Sequence, residues 1–521
     1  MIKFYLKVML KSPIFIISML FMIFIMIVQL SALNFSIHLY SRINFYGYIS
    51  FNLFLLLSCT YVMNKNYELA DFLEKNLFKK FISILLTSII ISSLVFIIPF
   101  VVIIIYTWNK ISFVNFYEGI FNYFILWSLS NCLSSIIGCT IGLLLRKWYS
   151  YIFSFIIYVG YISCLYGPSK SVFDRLICVF SDNIFINQND LAPILFNKSY
   201  YLDKLFIILF ILAIINLIYL IINKKKIYPI PIISFFLIIT LFIAIIPTSN
   251  KLSKIGVENY DNFSTSDYII NDYKMDLKLT STLKNSSELD VKILNDIKSI
   301  TFMLDNTFNI DSILINDNTC KFSHKNNKVT INSSFLKNTS IKIKINYSGY
   351  VDISNYLGVN TYYVNNRYIN LPGEKFYWYP SINNDIIHSF NINLNSRTAI
   401  YSNLNIESMG ENGNNYEYNL KGDDVALNIF SGDYQVITDE NITYILPKTY
   451  KIDLFKIYLN DLSKKILEDN SSTESNMKSD ILKNKSYKKV IVSDWYSNTI
   501  EKNLGNEIQF YNDTLIINLG V

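Results

Sequence analysis

A chain of 521 residues with a formal charge of +6 is 52% hydrophobic and 16% aromatic but only 17% charged. That is too apolar for an ordinary soluble protein, and it excludes a disordered chain or one built to bind nucleic acid. The average conceals a split, because residues 1–247 carry 18 Lys and Arg against 8 Asp and Glu while residues 248–521 carry 28 against 32. The halves are therefore +10 and −4, which reads as two domains in two solvents. The expected architecture is an α-helical membrane domain over 1–247, a linker over 248–267, an extracytoplasmic β-rich domain over 268–449, and a helix plus small α/β fragment over 450–521.

In chain order, a bilayer core about 30 Å thick asks for roughly 20 apolar residues per helix. Segments near 13–32, 46–63, 81–106, 119–145, 150–166, 204–223 and 230–247 meet that length, which predicts about seven spans. With the N-terminus in the cytoplasm, the inner segments hold twelve basic residues (Lys3, Lys7, Lys11, Lys65, Lys75, Lys79, Lys80, Arg146, Lys147, Lys224, Lys225, Lys226) and the longer outer loops six. Seven crossings deliver residue 248 to the outside, so a multi-pass plasma-membrane protein with an extracellular C-terminal domain is expected. The first apolar stretch is span-length and no small-residue cleavage site follows it, so a cleaved signal peptide is not expected. No acid or histidine falls mid-span, which disfavours an ion-coupled pump. No G-x-x-x-x-G-K-[ST] loop occurs either, so any nucleotide motor is a separate chain.

Residues 1–11 (MIKFYLKVMLK) set Lys3, Lys7 and Lys11 on one stripe of a helix that can lie in the membrane interface. The loop 64–80 (NKNYELADFLEKNLFKK) carries Glu68, Asp71 and Glu74 on a helical pitch before Lys75, Lys79 and Lys80, acids early and bases late as the helix dipole favours. Both could equally be flanking charge that anchors spans. Together with Ser12-Pro13 opening the first span, they resemble the permease of an ATP-binding-cassette exporter of the second type, over roughly residues 1–223. The resemblance implies a six-span core plus one extra span, working as a dimer with a second permease copy or homologue and with separate ATPase subunits. It makes the helix at 67–78 the coupling element, with Glu68, Asp71, Phe72 and Glu74 as ATPase-facing residues. This chain would bind no cofactor, and ATP and Mg would sit on the partner. The loop 167–203 would hold short re-entrant helices. In the fourth span Ser130, Ser134, Gly138 and Gly142 recur every four residues, a small-residue stripe that suits helix packing better than a substrate lining, while a buried Asn131 amide seeks a partner.

From residue 268 the pattern changes to alternation. YKMDLKLTSTL, SITFMLDNTF, SILINDNTCKF, NKVTINSSF and SIKIKINYSGYVDI read as half-buried strands, with HKNNKV and ENGNNY as turns. A helix is predicted over 452–468, then a polar linker, then strands at KKVIVS and DTLIINLGV. Ile343-x-Ile345-x-Tyr347-x-Gly349, YINLPGEKFYWYPS (368–381), AIYSNLNI (399–406) and FSGDYQVI (430–437) resemble the N-terminal saddle-shaped domain of the aminopeptidase-N family of zinc peptidases. In that family the domain packs beside the catalytic domain and contributes part of the substrate cleft.

The family's catalytic signature is missing. His-Glu-x-x-His puts two imidazoles on one helix face toward zinc with a glutamate to activate water, and none of His38, His324 and His388 fits that spacing. SMGEN (408–412) permutes the family's G-A-M-E-N motif and reads as part of a hairpin turn, and the sequence stops at INLGV, about where that family continues toward its zinc helix. No metal and no peptidase activity are expected. Tyr377, Trp378 and Tyr379 could form an aromatic outer-domain surface, with a core role for Trp378 the stronger alternative. His324 and His388 read as surface or strand-edge residues, and Lys485, Lys488 and Lys489 as solvated. Cys59, Cys132, Cys139 and Cys164 read as small apolar residues in spans, and Cys178 and Cys320 as free thiols that could in principle pair.

Three functions fit this pattern. The first is an exporter permease, not itself an enzyme, whose outer domain binds or guides a substrate; the saddle domain's relatives suggest a peptide, and lipids, drugs and antimicrobial-peptide immunity stay open. The second is a membrane-anchored peptide-binding, sensor or immunity protein. The third is the non-catalytic half of a split membrane peptidase.

Overall fold

The computed structural model describes residues 1–32, 45–65, 77–107, 113–145, 147–163, 191–192, 196, 198–222, 229–252, 254–255, 263–354, 360–374, 376–382, 386–448, 450–468, 482, 486–493 and 508–518. The chain divides into two compact units. One is helical and holds Met1–Gln188 and Lys198–Ile255, and the other is β-rich and holds Asn189–Asn197, Gly256–Asn355 and Val359–Val521.

The helical unit opens with α1 (Ile2–Leu10), which buries Tyr5 and Met9 and leaves Lys3, Lys7 and Lys11 exposed on the other face. A 63° bend separates it from α2 (Pro13–Ala32). Pro13 takes the first helical position, where a missing N–H costs nothing, and the Ser12 hydroxyl accepts from the Phe15 amide at 3.4 Å. Next come α3 (Phe45–Asn64), α4 (Leu77–Val95), α5 (Ile97–Thr107), α6 (Phe113–Leu144), α7 (Tyr149–Ser163), α8 (Lys198–Ile222) and α9 (Pro229–Leu252). The expected third span, 81–106, is divided into two helices by a turn at Phe96, because Pro99 has no N–H to give the Val95 carbonyl, although the bonds Phe96 to Ser92 and Phe100 to Phe96 carry the ladder across it. Among the described residues, three stretches are long and apolar enough to cross a bilayer: Leu77–Val102, Tyr117–Leu144 and Tyr200–Ile222. The bent α1–α2 pair makes a fourth, while Ile49–Asn64, Tyr149–Gly160 and Pro231–Ile245 are apolar but shorter.

The β-rich unit is built from strands whose side chains alternate between core and surface. Its largest sheet runs β14 (Asn405–Asn412), β15 (Asn415–Asp424), β12 (His388–Ser396), β1 (Tyr268–Leu279), β2 (Leu283–Ile293), β8 (Ser340–Gly349), β4 (Phe308–Ile315) and β5 (Asn318–Thr319). Neighbours are antiparallel except the β12–β1 pair, whose parallel register sets Phe390 beside Tyr273 and Leu394 beside Leu277. A three-stranded sheet joins β3 (Ile297–Met303), β7 (Lys328–Phe335) and β6 (Phe322–Lys325), its tight turn made by Asn326 and Asn327 at positive φ. Another sheet runs β9 (Asp352–Ser354), β10 (Asn360–Val364), β11 (Ile369–Leu371), β16 (Ile429–Ser431) and β13 (Tyr401–Ser402).

A five-stranded sheet takes β17 (Tyr434–Asp439), β18 (Ile442–Pro447), β19 (Lys489–Ser493), β21 (Thr514–Asn518) and β20 (Ile508–Tyr511), with α10 (Ile452–Glu468) packing Phe455, Leu459 and Leu462 against it. The sheet that receives the C-terminal strands thus already begins at Tyr434, so residues 450–521 are continuous with the strands before them. The short segment before α8 also belongs to this unit. Leu191 joins the main core, its carbonyl accepts from the Asp433 amide at 3.1 Å, and a Cβ on Gly432 would lie 2.8 Å from that oxygen.

Candidate functional site

A polar run inside the helical unit lies where α3, α6 and α7 meet. It exists because α6 carries glycine where α3 passes. A Cβ on Gly138 would collide with the Leu56 carbonyl oxygen, and one on Gly142 would lie 2.8 Å from the Thr60 carbonyl oxygen. Close approach lets backbone and small hydroxyls bond across the interface, which apolar side chains would hold apart. The Thr60 hydroxyl contacts the Leu56 and Gly138 carbonyls at 2.8 and 3.1 Å and the Ser154 hydroxyl of α7 at 3.0 Å. One turn on, the Asn64 amide nitrogen donates to the carbonyls of Gly142 (3.0 Å) and Leu145 (3.2 Å), while its oxygen accepts from the Ser150 hydroxyl. Thr60 and Asn64 on α3 and Ser150 and Ser154 on α7 share a four-residue spacing, so each pair stays on one helix face. Tyr158 continues the α7 side, its hydroxyl donating to the Ile49 carbonyl at 2.6 Å.

Toward the N-terminal ends of α3 and α6 the seam changes character. Ser130, Asn131 and Ser134 are buried, and Ser130 bonds back to the Trp127 carbonyl at 3.2 Å. Asn131 finds no partner, and neither does Asn52 of α3. Beside them Phe51 stacks on Trp127 at 5.1 Å, and the Trp127 indole donates to the Ser92 carbonyl at 2.9 Å. Asn52 escaped the sequence reading, although its place eight residues before Thr60 sets it on the same face of α3. A second polar link also escaped it. The Tyr200 hydroxyl of α8 donates to the Asn122 oxygen of α6 at 2.6 Å, and the Lys204 ammonium lies 4.8 Å from the Tyr200 ring centre. Glu118, Asp203 and Lys204 are all buried here, so ionisable side chains do enter the helical unit.

The proposed coupling residues Glu68, Asp71, Phe72 and Glu74 lie outside the described residues, as do the loop 167–190, Cys164, Cys178, His38 and Lys485. Just after that segment, buried Lys80 donates to the Lys65 carbonyl at 3.2 Å, a cation on the carbonyl end of α3. Cys320 is a free thiol whose sulfur contacts the Ile313 carbonyl at 3.6 Å, and Cys59, Cys132 and Cys139 are also free.

In the β-rich unit the aromatic triad is core, not surface: Tyr377, Trp378 and Tyr379 are all buried. The Tyr347 hydroxyl donates to the Trp378 carbonyl at 3.0 Å and accepts from the Asn285 amide at 2.8 Å, while the Tyr379 hydroxyl accepts from the Leu427 amide at 3.2 Å. Burial raises the Tyr347 and Tyr379 phenols well above their ordinary range. The tyrosine-glycine strand and the tryptophan segment thus meet as one structural lock. SMGEN is the second half of strand β14, which is exposed along its length, and the turn falls at Gly413 with φ +64°.

Lys489 is not solvated. Its ammonium faces the carbonyls of Ser402, Leu404 and Asn403 at 3.0, 3.2 and 3.4 Å, and burial lowers its pKa against the opposing pull of Asp513 and Asp424. Lys488 is exposed, with Asp513 4.0 Å away.

His388 is likewise buried rather than at the surface, its Nδ1 2.6 Å from the Ile270 carbonyl oxygen. Burial pushes its pKa below the ordinary 6.5, with the carbonyl bond opposing. The unfolded chain therefore takes up the proton first as pH falls through about 6.5, and the β-rich unit loses stability below that pH. Denaturant midpoints measured from pH 7 down to pH 5 are expected to fall, and His388→Gln should flatten that slope. An unchanged slope in the variant would assign the acid sensitivity elsewhere.

Zinc of the peptidase kind does not fit these residues. His324 Nε2 lies 3.0 Å from the Leu304 carbonyl oxygen and His388 Nδ1 is engaged as above, on strands of different sheets. Among the described residues no group of three or more His, Cys, Asp or Glu could hold a metal ion.

No protein-family profile and no curated protein matches this sequence. Among solved structures, an M1 zinc metallopeptidase from Deinococcus radiodurans aligns at 11% identity with a TM-score of 0.32, covering 39% of this chain and 54% of that one. A two-domain M1 zinc metallopeptidase mutant bound to L-tryptophan aligns at 8% identity with a TM-score of 0.31, covering 45% and 59%. The chain is thus loosely similar in structure to M1 zinc metallopeptidases, and it spans little more than half the length of those it matches.

Proposed function

We propose that this chain is the membrane-embedded permease subunit of an ATP-binding-cassette exporter, with a separate ATPase subunit, a cytoplasmic N-terminus and an outer β-rich domain that binds or guides substrate. What supports this reading is the polar seam between α3, α6 and α7, enclosed by helices whose outward faces are apolar. On α2 the exposed residues include Ile17, Leu20, Phe21, Phe24 and Ile27, and on α7 Ile152, Phe153, Phe155 and Ile156. Such faces suit hydrocarbon and would be costly in water, whereas a polar interior is what a transport path or a two-state helix interface needs.

The outward placement of the β-rich domain is supported by the chain path, if α8 and α9 both cross. Asn189–Asn197 and the residues from Gly256 belong to one folded unit, and between them α8 and α9 pack as a pair. Two crossings leave both segments on the same side, as does a start inside followed by seven spans. The chain itself carries out no ATP or peptide hydrolysis in this reading. ATP-driven closure of the motor pair would push on the 67–78 segment and shift the helices between inward and outward openings. Glu68→Arg is then expected to abolish ATP-dependent transport in vesicles while membrane insertion is kept, and normal transport by the variant would sink the docking claim.

A second reading, a membrane-anchored peptide-binding or sensor protein, has one observation in its favour. Four neighbouring strands, β14, β15, β12 and β1, line a trough of about 660 Å³, polar along the Asp276, Asn393, Asn419 and Ser408 row. Under that reading no ATPase co-purifies with the chain in mild detergent.

A further inference from the structure

The side-chain amides of two asparagines inside the helical unit have no hydrogen-bond partner. Asn52 is 0% exposed and Asn131 2%, and both amide nitrogens and both amide oxygens lack a hydrogen-bond partner. Buried polar groups are nearly always paired, so two fully orphaned amides in one helix pair call for an explanation.

The helix register places them within one turn of the same level. The contacts Leu56 with Gly138 and Thr60 with Gly142 fix a parallel register in which α6 numbers exceed α3 numbers by 82 (138 − 56 and 142 − 60). The same offset sets Asn52 level with Ser134, three residues from Asn131, or about 4.5 Å along the helix axis. Below this level the helices are tied by the Thr60 and Asn64 hydrogen bonds and the glycine contacts. At the amides themselves no bond crosses between the side chains. The cover is aromatic: Phe51 stacked on Trp127, with Tyr123 and Phe96 at 6.0 and 6.1 Å from the Trp127 ring. The pair is fastened at its C-terminal end and held by packing alone around Asn52 and Asn131.

We infer that Asn52 and Asn131 form a binding site for the uncharged amide of a peptide substrate, engaged when α3 and α6 part at the Phe51–Trp127 contact. Each side chain offers N–H donors and a carbonyl acceptor, the complement of a peptide bond, which brings one of each. A bare carboxylate or ammonium would satisfy only half of what the two amides present. The stripe of Ser130 and Ser134 beside them fills little space, which suits a backbone rather than a bulky side chain. This inference rests on the transport reading and names the substrate chemistry of that path.

The test uses the full chain in lipid nanodiscs, with Asn52→Leu and Asn131→Leu made singly and together. An unpaired buried amide is costly, and a leucine of similar size removes that cost. Each substitution is therefore expected to raise the thermal midpoint by about 2–4 °C, the shift of roughly one such group in a large domain. The probe is N-acetyl-trialanine N-methylamide, with the matching ester analogue lacking N–H groups. The amide is expected to bind the wild-type chain and to bind the double variant at least tenfold more weakly, about 1.4 kcal/mol, with the ester weak on both. A lower midpoint in both single variants would mean the amides are paired through water and structural, and equal amide binding by wild type and double variant would place the site elsewhere; either overturns the inference. Loss of ATP-driven transport is read separately with Glu68→Arg, so a chain that binds the amide but recruits no ATPase refutes the transport reading and leaves the amide site standing.

Discussion

Gly138→Leu is expected to unfasten α3 from α6 and to destabilise the helical unit by about 3 kcal/mol or more, the upper range for overpacking. The atom it would strike is the Leu56 carbonyl oxygen, fixed in the middle of α3 and unable to rotate away as a side-chain tip would. Parting the helices also breaks the Thr60 hydroxyl's bond to the Gly138 carbonyl. Gly142→Leu should act in the same direction, since its Cβ would meet the Thr60 carbonyl oxygen at 2.8 Å and Met63 Cβ at 2.9 Å. Gly160 on α7 supplies the control, because nothing lies within 4 Å of a Cβ there. Thermal unfolding in nanodiscs should separate the first two variants from Gly160→Leu. Three equal midpoints would mean that the α3–α6 approach is looser than described.

The second large effect belongs to Asn403. Its amide nitrogen donates to Asp424 Oδ2 at 2.7 Å and to the Ala426 carbonyl at 2.8 Å, and its oxygen accepts from the Asn428 amide at 2.9 Å. Asp424 is buried, and burial raises its pKa while Asn403 and the Val425 amide hold it down. Asn403→Leu strips the carboxylate of that neutral donor, and losing a hydrogen bond to a buried charged group costs about 1.5–3 kcal/mol, with the Ala426 carbonyl and the Asn428 amide left unpaired as well. The sign with pH follows. Asp424 already has a folded pKa above its unfolded one, so its contribution to stability is present in acid and lost as pH rises through the folded value. The variant raises that value further, so its deficit against wild type should be largest at neutral pH and shrink in acid. Denaturant unfolding of both chains at pH 7 and pH 5 measures this, and a deficit independent of pH would show that the lost amide acts by packing alone.

Much of the architecture is legible in the sequence because it is written in local periods. The 452–468 helix falls where its apolar spacing put it, with Phe455, Leu459 and Leu462 inward and Leu454 and Ile457 outward. Alternation in SIKIKINYSG gives a strand whose Ile341, Ile343, Ile345 and Tyr347 all face the core. The seven apolar segments correspond to helices, although Pro99 divides one of them.

What the sequence withheld depends on meetings between distant residues. Tyr377, Trp378 and Tyr379 lie in an irregular stretch with no period to tell inside from outside, and only the Tyr347 hydroxyl reaching the Trp378 carbonyl fixes them in the core. His388 looked like a strand edge, but the parallel pairing of β12 with β1 brings it under the Ile270 carbonyl. Lys489 looked like one of a solvated basic group until the 402–404 carbonyls closed on it. In the helical unit the glycines of α6 were visible as a stripe, whereas Asn52 acquires meaning only through the register with Ser134.

The attachment of Leu191 to the β-rich unit sets an order of assembly. Its carbonyl waits for the Asp433 amide and for the space that Gly432 leaves open, a contact separated by 241 residues (432 − 191) and by the whole α8–α9 pair. Closing so long a loop is slow, and Leu191 takes its place only after the strands around Gly432 have been made. Ala192, packed with Tyr363 and Tyr368, prolongs the same wait. A fragment beginning at residue 256 would therefore emerge with an empty seat beside Gly432. The peptide 189–197 added in trans should fill it, as a missing strand repairs a split protein.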